Sequence, residues 1–176
     1  HPDSVTITPD GTKLVVVNEG EFVSTSAETT FARPGSISVV DISSVTTMAQ
    51  AGNLTQSNVV TYDFSSDNLG SGVSISALRN ARLDTLTAKT ANSADIEPEY
   101  ATATNSQVFV TLQENNAVAV FDFATSKYSA IYELGTIEQL IDASDRDGAN
   151  NTTSIAINDS VHGLPMPDAI ARFTRS

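Results

Sequence analysis

Three Pro-acid pairs recur along the chain, and each opens a run of residues with β-strand character: Pro2-Asp3, Pro98-Glu99 and Pro167-Asp168. Two further acids, Glu19 and Glu114, each follow the next apolar run after the first two pairs. Carboxylates that converge repel one another unless a cation or a basic side chain neutralises them, and hard oxygen ligands suit Ca²⁺. The pattern predicts a calcium site that draws on Asp3, Glu19, Glu99, Glu114 and Asp168. The alternative is that these acids cap turns or accept hydrogen bonds from backbone amides.

A second acidic segment, Asp142-Ala-Ser-Asp-Arg-Asp-Gly148, resembles half of a calcium-binding loop. Asp142, Asp145 and Asp147 are the carboxylates in it, and the glycine permits a sharp turn. Thr153 stands at about the twelfth position from Asp142, where an EF-hand has its bidentate glutamate, so the segment is not an EF-hand. The sequence predicts either calcium at Asp142, Asp145 and Asp147 or an ion pair with Arg146. A solvated loop with a string of Asx turns is the alternative.

Hydrolase chemistry finds less support in the residue types. The chain has no Cys and two His, and it lacks the Gly-x-Ser-x-Gly turn of a serine hydrolase. His162 precedes the third Pro-acid pair, and we expect it to be a loop or core residue. A phytase-like use of calcium to gather phosphate needs Lys or Arg near the acids, and the basic residues are scattered. We therefore assign no catalytic residue.

The charge of the chain excludes two classes of partner. Nine Lys and Arg against 21 Asp and Glu give a formal net charge of −12. Binding to nucleic acid or to an anionic membrane surface needs a basic face, so neither is expected. No run of apolar residues is long enough for a membrane-spanning helix, so we expect no membrane insertion. With 40% hydrophobic residues, the chain can still bury a core.

The elements that would position the acids are short β-strands joined by turns. Alternating or apolar runs separated by turn residues predict eight strands, at 4–8, 13–17, 36–42, 59–64, 100–103, 108–112, 117–123 and 128–132. Pro9-Asp10-Gly11-Thr12 predicts a hairpin turn between the first two. Helical spacing predicts a helix from Ser74 to Leu86 and one short helical turn from Thr136 to Ile141. Residues 24–33 read as a Ser- and Thr-rich loop.

These strands fall into a repeat. The Pro-acid pairs align, Leu14–Glu19 aligns with Phe109–Glu114 if one residue is lost in the preceding turn, and Gly35–Asp41 aligns with Asn116–Asp122. Four strands within about forty residues is the size of a β-propeller blade. We therefore predict an all-β fold with about two blades, at 2–64 and 96–135, and the first strand of a third beginning at 166.

A blade needs neighbours to cover its faces, and a propeller needs at least about four blades. The sequence is thus expected to be a fragment of a larger propeller of roughly seven blades. Residues 65–95 and 136–165 are interpreted as insertion loops. The expected partners are the remaining blades of the same propeller or other copies of the chain. The alternative is a complete small β-sandwich with two similar hairpin pairs.

At this level of detail the sequence resembles the choice-of-anchor I proteins. The motifs that carry the resemblance are Pro2–Gly11, Val17–Glu21, Pro34–Ile42, Asp95–Tyr100, Val110–Val120, Asp142–Gly148 and Pro167–Ala171. The resemblance implies a secreted bacterial β-propeller, at the cell surface or in the periplasm, in proteins much longer than this chain. Members are often described as alkaline-phosphatase-like or phytase-like, which implies a calcium-dependent phosphoesterase as the alternative to a binding or assembly module. A polysaccharide or a phosphate ester is the ligand that these two readings suggest.

Overall fold

The computed structural model describes residues 1–25, 28–76, 78, 93–144 and 155–173. Within these ranges the chain is nearly all β, as predicted, with one four-residue α-helix, α1 (Met48–Ala51), and three single-turn 3₁₀ helices at Gln56–Asn58, Ser66–Asn68 and Ser93–Asp95. Every sheet is antiparallel. The twelve strands are β1 (Pro2–Ile7), β2 (Lys13–Asn18), β3 (Glu21–Thr25), β4 (Glu28–Arg33), β5 (Ser36–Asp41), β6 (Val59–Asp63), β7 (Pro98–Ala103), β8 (Gln107–Leu112), β9 (Ala117–Asp122), β10 (Lys127–Glu133), β11 (Ile137–Ile141) and β12 (Asp159–Gly163).

The first four-stranded sheet has the order β1-β2-β5-β6, with the hairpin β3-β4 inserted between β2 and β5. The predicted turn at 9–12 forms, because Asp10 Oδ1 accepts hydrogen bonds from the hydroxyl of Thr8 at 2.6 Å and from the amide of Thr12 at 3.0 Å. Gly11 takes a φ of 69°, which a side chain would resist. Turn chemistry thus fixes the register of β1 on β2.

The second sheet repeats this plan in the order β10-β9-β8-β7. Its strands follow one another as a simple meander with short turns. Asn116, in the turn between β8 and β9, and Ser126, in the turn between β9 and β10, have positive φ values of 51° and 54°. All eight predicted strands are present in the two sheets. The two consecutive four-stranded meanders are consistent with two blades of a propeller, and they form no closed barrel.

The hydrophobic core lies between these two sheets. Val15, Val17 and Ile37 of the first sheet and Val108 and Val110 of the second are fully buried and belong to one cluster. Burying such side chains stabilises the fold by roughly 1.5–3 kcal/mol each.

Aromatic residues join the outer strands of the two sheets. The rings of Phe64 and Tyr128 stack with centroids 4.2 Å apart, and those of Tyr62 and Phe121 lie 4.7 Å apart. The hydroxyl of Tyr128 donates to the carbonyl of Tyr62 at 3.1 Å, so the one polar atom on this buried ring is satisfied.

Residues Leu134–Pro165 form a second compact unit, separate from the one that contains His1–Glu133 and Met166–Ser176. Within it β11 pairs with β12 along its whole length. Asp142 Oδ1 accepts from the amide and hydroxyl of Ser144, and its Oδ2 accepts from the amide of Ala156. Among the described residues, no helix is long and apolar enough to cross a membrane.

The structure corrects four local predictions. In the predicted loop at 24–33, residues 24–25 belong to β3 and 28–33 form β4. Residues 137–141 form β11 and not a helical turn, since β12 supplies a partner strand. The register pairs Ile7 with Leu14 and Ala103 with Val108, so two residues, not one, are lost in the turn of the second repeat. Residues 164–173 form no strand. Most of the predicted helix at 74–86 lies outside the described residues.

Candidate carboxylate site at the start of the inner strands

The first strands of the two sheets, β1 and β7, lie side by side. The hydroxyl of Ser4 donates to the carbonyl of Glu99 at 2.6 Å near their beginnings. Near their ends, the amide of Asp10 donates to Oδ1 of Asn105 at 3.0 Å. The two strands therefore run in the same direction, and the two Pro-acid pairs that open them meet at one edge of the molecule. We call β1 and β7 the inner strands.

Four carboxylates converge at this edge: Asp3 on β1, Glu19 after β2, Glu99 on β7 and Glu114 after β8. Burial, followed by the negative charges of Glu114 and Glu19, a hydrogen bond with Asp3 and the charge of Asp3, raises the pKa of Glu99 to about 8. The ammonium of His1 donates to the carbonyl of Glu19 at 3.1 Å, and the amide of Glu19 donates to the carbonyl of His1 at 2.8 Å. These bonds tie Glu19 to the start of β1. We call Asp3, Glu19, Glu99 and Glu114 the rim carboxylates.

The chain segment that leads into β7 is held by close backbone contacts. A Cβ on Gly35 would collide with the carbonyl oxygen of Ile96 and with the ring of Pro98, so only glycine allows β7 to begin this close to β5. Asn115 is fully buried; its Oδ1 accepts from the amide of Glu97 at 3.2 Å, and its Nδ2 donates to the carbonyl of Asp95 at 3.1 Å. These contacts place Glu99 beside the turn that carries Glu114.

The arrangement of the rim carboxylates supports two chemical states. A hydrogen bond between two carboxyl groups needs a proton on one of them, and the pKa of about 8 indicates that Glu99 carries this proton and donates it to Asp3 at neutral pH. Loss of that proton leaves several negative charges close together at a partly buried position. A divalent cation bound there would offset their repulsion. Among the described residues, no three acid, histidine or cysteine side chains are arranged to hold a metal ion.

The other predicted site residues lie elsewhere or outside the described part. Asp168 is exposed and is not among the groups that raise the Glu99 pKa. Hydrogen bonds from Ser144 and Ala156 hold the pKa of Asp142 below its ordinary value, as in an Asx turn. Asp145 and Asp147 fall outside the described residues. His162 is exposed on β12, with its Nδ1 3.3 Å from the hydroxyl of Thr136.

Two acids next to the site were not singled out from the sequence. Glu97 is fully buried, and burial raises the pKa of Asp95. With Glu99 they place three acids in the five residues 95–99, where the chain enters β7. A charged residue at every second position of a segment about to enter a sheet is a signal that could have drawn attention to them. The role of Asn115 in holding this segment had no comparable signal, because it depends on a contact across the sheet.

The comparisons with known proteins identify one family. A sequence model of the choice-of-anchor I domain matches residues 1–176, which is the whole chain. The search of curated proteins and the search of solved structures found no match to this chain.

Proposed function

Because the chain belongs to the choice-of-anchor I family, a membership that suggests a cell-surface protein, we propose that it is an extracellular β-propeller segment that serves binding or structural assembly, with calcium at its acidic sites. The first of these sites is the rim. The observation that carries the proposal is the convergence of the four rim carboxylates where the inner strands begin.

The electrostatics of the rim support a cation there. A cation offsets the repulsion among converging carboxylates. Calcium suits this role because it accepts oxygen ligands in flexible geometry. Protonation and calcium binding compete for the same oxygens, because the ligand form of a carboxylate is the ionised one. Calcium binding at the rim should therefore be weak at acidic pH and strengthen as Glu99 ionises near pH 8.

Thermal unfolding with and without calcium tests the proposal. Extracellular calcium modules bind with dissociation constants of about 10⁻⁴–10⁻³ M, so 10 mM calcium should stabilise the folded state by roughly 1.4–2.7 kcal/mol. For a chain of this size that is a rise in Tm of roughly 3–10 °C. We expect the rise at pH 8.5 and little of it at pH 5.5. No rise at pH 8.5 would disprove calcium binding.

Variants locate the cation. Glu99→Gln should remove most of the rise at pH 8.5, whereas Asp168→Asn, which neutralises an exposed acid outside the rim carboxylates, should keep it. A rise that survives Glu99→Gln and disappears in Asp147→Asn would place calcium in the 142–148 segment instead of the rim. Magnesium at the same concentration is the comparison ion, since it demands stricter geometry.

The same samples address the phosphoesterase alternative. Hydrolysis of para-nitrophenyl phosphate by the wild-type chain that requires calcium and is lost in Glu99→Gln, with unchanged folding, would favour an enzyme. Calcium-dependent stabilisation without such turnover favours a binding or assembly module. The rim carboxylates, by themselves, supply cation ligands but no group that neutralises a phosphate, so we place binding and assembly first.

A further inference from the structure

Each of the two inner strands contains a β-bulge at its Pro-acid pair. In β7, Glu99 and Tyr100 together lie opposite the single residue Thr111 of β8. In β1 the register shifts in the same way just before Ser4, which makes Asp3 the extra residue of that strand. The strand pairing thus places Asp3 and Glu99 at equivalent positions of their two sheets. Because bulges change the direction in which a side chain is presented, both acids leave the regular strand pattern at the same point.

The bulge in β7 keeps Glu99 off the buried face of the second sheet. In a strand without the extra residue, Glu99 would pair with Leu112 and share its face. Leu112 and Val110, which lie on that face, are fully buried, and an ionisable side chain there would lose its hydration. With the bulge, Pro98 takes this place and is buried, whereas Glu99 is only half-buried. The bulge therefore decides that Glu99 joins the rim carboxylates and not the core.

One buried hydroxyl holds the bulge in β7. The side chain of Thr111 is fully buried, and its hydroxyl accepts a hydrogen bond from the amide of Tyr100 at 3.0 Å. The same hydroxyl donates to the carbonyl of Tyr100 at 3.3 Å, so it binds both backbone groups of the residue that follows Glu99. On its other side Thr111 pairs with Val118 of β9, which fixes its own position within the sheet.

A second hydroxyl joins the two bulges to each other. Ser4, the residue after Asp3, donates from its hydroxyl to the carbonyl of Glu99 at 2.6 Å. The backbone of Ser4 is itself fixed by pairing with Val17 of β2. Asp3 and Glu99 are therefore held together through the backbone as well as through the hydrogen bond between their carboxyl groups.

We propose that Thr111 is the positioning residue of the rim: its hydroxyl fixes the bulge in β7 and thereby holds Glu99 against Asp3. Thr111 acts through the backbone of Tyr100 and is not itself one of the rim carboxylates. For calcium the inference rests on the proposed function, since separate carboxylates bind a cation well only when supporting groups hold them in one geometry. The positioning of Glu99 does not depend on calcium and can be tested without it.

Nuclear Overhauser contacts between the side chains of Asp3 and Glu99, recorded in EDTA, test the positioning. The wild-type chain should show these contacts and Thr111→Val should lose them. Valine keeps the shape of threonine without the hydroxyl, and Val17 occupies the equivalent, fully buried position of the first sheet. Thr111→Ser retains the hydroxyl and should retain the contacts. Tyr128→Phe is the matched control, because it removes a different buried hydroxyl that binds a backbone carbonyl, and it should leave them unchanged.

Calorimetric titration with calcium at pH 8.5 measures the consequence for the proposed site. Thr111→Val should bind calcium roughly 10–100-fold more weakly than the wild type, the usual effect of removing a group that orients metal ligands. Thr111→Ser and Tyr128→Phe should bind with the wild-type affinity. A wild-type chain that binds no calcium would disprove calcium at the rim, whereas the contacts in EDTA would still decide whether Thr111 positions Glu99.

Two results would overturn the positioning role. Contacts between Asp3 and Glu99 that survive in a folded Thr111→Val chain would show that the hydroxyl is not needed. Their loss in Tyr128→Phe would show that any destabilisation has the same effect. Hydrogen exchange of the wild-type chain keeps the test open if Thr111→Val does not fold. The amide of Tyr100 should exchange slowly although this residue is 43% exposed, and fast exchange would contradict its bond to Thr111.

Discussion

The raised pKa of Glu99 predicts an unusual dependence of stability on pH. The ordinary pKa of a glutamate is 4.5 here, and Glu99 has a pKa of about 8 in the folded chain. The folded state therefore holds a proton that the unfolded chain releases between these values. Since the folded-state pKa is raised, the contribution of this group to stability is fully present below pH 4.5 and is lost as the pH rises to about 8.

The size of the effect follows from the pKa and from the exposure of Glu99. For a fully buried, isolated group, the difference between 4.5 and about 8 would correspond to roughly 5 kcal/mol. Glu99 is only partly buried, and its charge interactions are screened by solvent. We therefore expect the free energy of unfolding to fall by roughly 1–2 kcal/mol between pH 5 and pH 8.5 on account of this group.

The perturbation is Glu99→Gln, measured in EDTA so that no divalent cation takes part. The amide keeps a hydrogen-bond donor for Asp3 and removes the charge, so the variant should match the wild type at pH 5 and exceed it by roughly 1–2 kcal/mol at pH 8.5. This is a higher Tm by roughly 2–8 °C. Urea unfolding followed by circular dichroism at both pH values gives the free energies.

Three other carboxylates contribute to stability at lower pH than Glu99. Hydrogen bonds lower the pKa of Asp10, Asp41 and Asp63, so their contributions to stability are lost only as the pH falls below about 4. Asp168→Asn serves as the control and should follow the wild-type curve. Parallel curves for the wild type and Glu99→Gln from pH 5 to pH 8.5 would refute the raised pKa of Glu99 and the convergence of the rim carboxylates.

Substitutions at three further positions test the contacts that hold the site and the two sheets, each by urea unfolding at pH 7. Gly35→Ala should destabilise the fold by roughly 2–4 kcal/mol, because its Cβ would collide with Pro98 at the start of β7; a neutral effect would contradict that close contact. Asn115→Ala should cost roughly 2–4 kcal/mol through two lost hydrogen bonds in a buried place, and an Asn115→Asp variant should not restore them both. Tyr128→Phe should cost about 1 kcal/mol for the bond to the carbonyl of Tyr62, and equal stability would show that this bond contributes nothing.

Much of the fold could be predicted because its signals are local. Short apolar runs, such as those at 13–17 and 117–121, indicate strands, and Asp10-Gly11 carries its own turn chemistry. Local signals gave the wrong prediction at 137–141, where a helical turn was expected and β11 is found. A short segment of mixed polar and apolar residues can form either a strand or a helix, and here pairing with β12 decides for the strand. Local signals also misplaced the alignment of β2 and β8 by one residue, because turn length is read correctly only from the strand pairing.

The sequence by itself determined the all-β architecture, the pair of four-stranded repeats and the recurrence of acids at the start of the inner strands. Only the tertiary structure decided which acids meet. Asp3 and Glu99 come from two strands that are joined by the hydrogen bond between Ser4 and Glu99, 95 residues apart in the sequence. Glu19 and Glu114 join them, whereas Asp168 stays exposed. The physical reason is that a pKa depends on the charges and the burial around a group, and both arise only when the two sheets come together.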